Sequence, residues 1–152
     1  MRVERAVTLE CPIANAFAYL AAPEHLPAWV DGVLQARQTS SGPMGLGATF
    51  RTTEREAPDR FWSGGREWEV TAYEPPHALA CRTGDGERAV ETRFTLEVVD
   101  GCTRLTVAAD VVVDGLFTPG EARTAAAAGR RLATALETLA ALLERGAGPA
   151  GA

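Results

Sequence analysis

The chain is expected to fold as an α+β domain in which a curved antiparallel sheet of about seven strands closes over one long C-terminal helix, in the order β-α-α-β6-α. Three observations predict this. Thr118 to Arg145 carries the 3.6-residue apolar period of an amphipathic helix. From Val33 to Val113 the chain is a succession of alternating or β-branched segments divided by short turn sequences, and two proline-opened helical stretches precede it. A meander with one apolar face must cover that face. The only large apolar helical stripe is the C-terminal one, so the sheet should curl around it.

Taken in order, Val3, Val7 and Leu9 alternate with Glu4, Thr8 and Glu10, which is the pattern of a half-buried strand. Arg5 shares the apolar parity, and nothing in the sequence accounts for it. Pro12 opens a short helix to about Ala21, and Pro23 opens a second helical stretch through Trp29. Val33 to Ser40 is the second strand, closed by the turn-forming run Ser41 to Gly47. Ala48–Glu56, Arg66–Glu74, Ala78–Thr83, Arg88–Val99 and Cys102–Val113 follow. Gly64-Gly65, Pro75-Pro76, Gly84-Asp85-Gly86 and Asp100-Gly101 separate them, short enough for antiparallel hairpins.

The C-terminal helix has a threonine N-cap at Thr118, Pro119 at its first position and Glu121 placed to close a capping box, and Gly146 is its expected stop. Ala122, Ala125, Ala128, Gly129, Leu132, Leu136, Leu139 and Leu143 share one stripe, while Arg123, Arg130, Thr134, Glu137 and Arg145 lie away from it. The stripe is graded, small residues first and leucines after.

At 152 residues the chain fits one domain, residues 1–145, with residues 146–152 a Gly/Ala/Pro tail. A net charge of −5 without a Lys/Arg cluster argues against nucleic-acid and anionic-membrane partners. Cys11, Cys81 and Cys102 are odd in number, far apart and match no zinc spacing, so they are expected to be reduced thiols of a cytoplasmic protein. Met1 to Arg5 lacks the apolar run of a signal peptide, and no segment reaches the ~18 apolar residues of a membrane span. The templates for serine hydrolases, zincins, phosphate loops and dinucleotide sites are absent, and two histidines far apart make no metal set. Neither cofactor nor metal is expected.

Three motifs carry a family resemblance: Ala16 to Trp29 (AFAYLAAPEHLPAW), Gly42 to Arg51 (GPMGLGATFR), and Tyr73-Glu74-Pro75-Pro76 followed by Leu79. With the order of elements over essentially the whole chain, they resemble the bacterial polyketide cyclase/dehydrase-like branch of the START and birch-pollen-allergen superfamily, also called SRPBCC. The resemblance implies a helix-grip fold with an internal hydrophobic cavity. It also implies a small hydrophobic or polyketide-like ligand, with cofactor-independent cyclisation and dehydration as one activity among several. A lipid or quinone carrier or sensor, and an interaction domain of the chaperone-activator type, stay open as alternatives, as does homodimerisation.

The inward parity of the strands is Phe50 and Thr52; Trp68, Val70 and Ala72; Leu79 and Cys81; Thr92, Phe94, Leu96 and Val98; Leu105, Val107, Ala109 and Val111. Alternation alone is equally the signature of a solid core. The resemblance favours a ligand wall made of Phe50, Thr52, Trp68, Val70, Cys81, Thr92, Phe94, Leu105 and Val107, roofed by Trp29, Ala125 and Gly129. Glu54 and Arg66 share that parity and are expected to lie opposite each other, as are Thr52 and Trp68, if the hairpin is centred near Arg60. The pair is the first candidate for acid–base work, or else a cross-strand ion pair at the rim. His25 and Asp31 border the same region. His25 is expected in solvent and His77 in an exposed corner. Trp29 either anchors its helix or packs on a ligand.

Overall fold

The computed structural model describes residues 2–54, 64–84, 90–110 and 121–146. Its elements are β1 (Arg2–Leu9), α1 (Ile13–Ala21), a single 3₁₀ turn (Pro23–His25), α2 (Leu26–Trp29), β2 (Val33–Gln38), β3 (Thr49–Glu54), β4 (Gly64–Glu74), β5 (Ala78–Thr83), β6 (Val90–Val99), β7 (Cys102–Asp110) and α3 (Glu121–Gly146). One curled seven-stranded sheet runs β1-β7-β6-β5-β4-β3-β2, every pair antiparallel. Sequential hairpins account for six strands; β1 closes the order by pairing with β7.

Local chemistry fixes these pieces. Asp100 and Gly101 both take positive φ, 51° and 79°, the requirement of a two-residue turn whose twist matches the strands it joins. Irregularities between Val33 and Gln35 and between Val70 and Ala72 break the register of β2 and β4, and such bulges add bend and twist to a sheet. β2 stops at Gln38 because Thr39 and Ser40 both turn their N–H groups onto the Thr49 carbonyl, at 2.9 and 3.3 Å. Thr103 Oγ1 donates to the Cys11 carbonyl at 2.8 Å, pinning the β1–α1 connection to β7.

The core sits where β1, β6, β7 and α3 meet: Leu9, Leu96, Leu105, Leu136 and Leu139 are 0–1% exposed. The unexplained Arg5 finds its reason here. Its guanidinium lies over Gly129 of α3, so that a methyl group added there would run into Nη2, lie 3.0 Å from Cζ, and touch Val3 at 3.5 Å. Gly129 therefore faces β1, and it is not a ceiling over empty space.

Other expectations change as well. The β3–β4 register is displaced by two residues: Phe50 faces Trp68, Thr52 faces Arg66, and Glu54 faces Gly64. Glu54 and Arg66 are thus diagonal neighbours instead of opposites. This register sets Phe50 opposite Trp68, and the two rings stack across the strands in parallel planes, 3° apart with centroids at 6.0 Å. Val98 shares the inward parity but is 62% exposed, at the end of β6 beside the Asp100-Gly101 turn. The Thr118 cap, Val111, and the side chains of Glu54 and Ala125 lie outside the described residues.

Candidate functional site

A cavity of about 790 Å³ lies between the sheet, α2 and α3, within the range usual for small-molecule sites, roughly 300–1,000 Å³. Its floor is the inward parity of β3 to β7: Phe50, Thr52, Trp68, Val70, Leu79, Cys81, Thr92, Phe94, Val107 and Ala109. Leu20, Leu26, Trp29 and Val30 cover one side, Met44 reaches in from the β2–β3 connection, and α3 contributes Arg130, Arg131, Leu132, Thr134, Ala135 and Thr138. Leu105 and Gly129 do not line this space; Leu105 is packed in the core and Gly129 faces Val3 and Arg5 of β1.

Aromatic rings hold the walls apart. Trp29, 6% exposed, meets Phe94 edge-on with centroids 6.3 Å apart, so it anchors α2 and faces the cavity at once. Trp68 donates its indole N–H to Thr52 Oγ1 at 3.1 Å. Thr52 is 2% exposed, and its hydroxyl, having accepted that bond, keeps its own proton to donate. Thr92 adds a second hydroxyl to the floor.

Burial, reinforced by the Glu91 carboxylate, pushes the Cys81 thiol from its ordinary 9.0 up to about 12. That keeps the thiol neutral near pH 7, unlike the thiolate a nucleophilic cysteine needs. Among the described lining residues the carboxylates and guanidinium groups are Asp31, Arg130 and Arg131, all exposed, which places them at the mouth. Arg66 is half-buried opposite Thr52 and outside the lining.

His25 is not in solvent. Its ring stacks on Tyr19 at 3.9 Å and 11°, and Nδ1 donates to the Tyr19 carbonyl at 3.0 Å, which fixes the proton on that nitrogen. Burial in turn raises the Tyr19 phenol above its ordinary value. His77 is exposed, with Nδ1 donating to the Leu96 carbonyl at 3.2 Å, so it braces a corner.

Sequence reasoning missed the α3 residues at the cavity. Arg130 and Thr134 stand off the apolar stripe, and that stripe was expected to face the ligand. The signal was available in their spacing: Arg130, Thr134 and Thr138 recur every four residues on a line well away from Gly129. Once Gly129 is tied to β1, the opposite flank must border the cavity.

Comparison with known proteins agrees with this architecture. The sequence model of the family described as polyketide cyclase/dehydrase and lipid transport matches residues 1–144. No curated protein sequence matches. Among solved structures, a START superfamily protein from Mycobacterium smegmatis is similar at 20% identity, covering 93% of this chain and 98% of that one, with a TM-score of 0.66. Ara h 8.0201 is similar at 15% identity, 94% and 97% coverage and a TM-score of 0.69. DynU16, from the dynemicin biosynthetic locus, is 24% identical over 96% of this chain and 48% of its own, with a TM-score of 0.65. At these identities the likeness is one of fold. The chain belongs to the polyketide cyclase/dehydrase and lipid transport family, and its sheet curled over a C-terminal helix is the helix-grip fold expected from the START-like resemblance.

Proposed function

We propose that this protein binds a small hydrophobic or polyketide-like molecule in the central cavity and holds it without transforming it, as a carrier or sensor does. The observation that carries this reading is the lining itself: about 790 Å³ walled by aliphatic and aromatic side chains, with the hydroxyls of Thr52 and Thr92 as orienting groups. Apolar walls with a few fixed polar contacts suit a ligand that gains by leaving water. The neutral thiol of Cys81 and the exposed position of Asp31 leave the described interior without an ionised acid or base, which weighs toward holding over chemistry. The hollow interior also weighs against an interaction domain of the chaperone-activator type.

Cyclisation in the same cavity would rest on folding a flexible chain into a reactive shape. Glu54, with Arg66 as its diagonal neighbour in register, is then the acid–base candidate. Unchanged turnover in Glu54→Gln would remove it from that role.

Native mass spectrometry of protein purified from its own host tests the main reading. A retained small molecule that is lost on denaturation is expected. An unliganded mass from every preparation, together with no uptake of apolar probes, would overturn it.

A further inference from the structure

The cavity has a polar rail along one side. Arg130, Thr134 and Thr138 follow one another at four-residue intervals on α3, a line about 12 Å long at 1.5 Å per residue, with Arg131 beside it. Both arginines are exposed, and neither guanidinium has an ion pair among the described residues. Asp31 stands in the same lining on the α2–β2 connection. Among the described lining residues two groups are positive and one negative, a sum of +1 on a chain whose formal charge is −5. A basic rim on an acidic protein draws anions toward it.

An ion is excluded from the interior, because moving a charge onto apolar walls without a partner costs far more than the hydrophobic gain returns. It is tolerated at the mouth, where a planar guanidinium can take a carboxylate through two parallel N–H donors. The arrangement therefore sorts a ligand by its two ends. We propose that the cavity takes an amphipathic monoanion, with its apolar body along the Phe50–Trp68 and Trp29–Phe94 ring pairs and its carboxylate at Arg130 and Arg131. A single negative charge neutralises the mouth, whereas a dianionic phosphate would invert it. This rests on the cavity-binding reading and narrows it to one ligand class.

The test compares cis-parinaric acid, a fluorescent fatty acid, with its methyl ester, which has the same apolar body and no charge. Wild-type protein is expected to bind the acid about tenfold more tightly than the ester at low salt, with the margin narrowing as salt screens the exposed rim. In Arg130→Gln/Arg131→Gln, whose substituted side chains are exposed and whose fold is checked by circular dichroism, acid and ester should bind alike. Arg130→Lys/Arg131→Lys should keep part of the preference. Equal affinity of acid and ester for the wild-type protein overturns the anion assignment and leaves hydrophobic binding standing. A preference that survives the glutamine variant overturns the role of these arginines. Failure of both probes to bind overturns the assignment together with the reading beneath it.

Discussion

The two ends of the helix grip are built from the same alternating strands and differ in what meets them. At the closed end, leucines from β1, β6 and β7 face Leu136 and Leu139 of α3, long side chain against long side chain, and exposure falls to 0–1%. At the open end the strands present rings, and the rings satisfy one another, Phe50 on Trp68 and Trp29 on Phe94. Across from them α3 offers Thr134, Ala135 and Thr138, too short to fill the gap. An identical strand pattern thus gives a solid core or a cavity according to the length of the facing side chains. Rings that pack laterally keep the hollow end from collapsing.

Substitutions that confuse the two ends separate these roles. Leu105→Ala, at a position 0% exposed, leaves a void among groups that cannot close over it and should lower unfolding stability by about 2–5 kcal/mol, read from the urea midpoint. A much smaller loss would mean that the closed end is loosely packed.

The next effect concerns Cys81 on the cavity floor. Its folded value is raised to about 12 from 9.0, so above pH 9 the unfolded chain sheds a proton that the folded one keeps. Stability from this group is complete below pH 9 and falls as pH rises toward 12, by roughly 1.4 kcal/mol per unit for a single proton. Cys81→Ala should flatten that part of the profile. An unchanged alkaline slope would show the floor to be wet.

Much of this was legible in the chain. Ala78–Thr83 is the same strand in sequence and structure, because Pro75-Pro76 and the glycine pair of Gly84-Asp85-Gly86 bracket it. The parity of β3 to β7 named most of the cavity floor, since period two is a local property. What depends on distant contacts was not legible. The face of α3 that meets β1 is read from Arg5 and Val3 beside Gly129, more than a hundred residues away in sequence. The β3–β4 register was misjudged by two residues because the connecting sequence has no Asn-Gly or Asp-Gly signal, and the observed register sets Phe50 opposite Trp68 instead. His25 was assigned to solvent because a polar residue between Glu24 and Leu26 gives no hint of the Tyr19 ring stacked on it.

A paired substitution on α3 tests the contrast between packed and hollow sides most directly, with Nile red as an uncharged apolar probe and urea unfolding as the stability readout. Ala135→Leu projects into the cavity and should abolish probe binding while stability stays within about 1 kcal/mol of wild type. Gly129→Leu drives into Arg5 and Val3 and should cost about 1–3 kcal/mol while the probe binds as before. The reverse outcome, with Gly129→Leu blocking the probe at unchanged stability and Ala135→Leu binding it normally, would contradict the placement of the cavity on which the account rests.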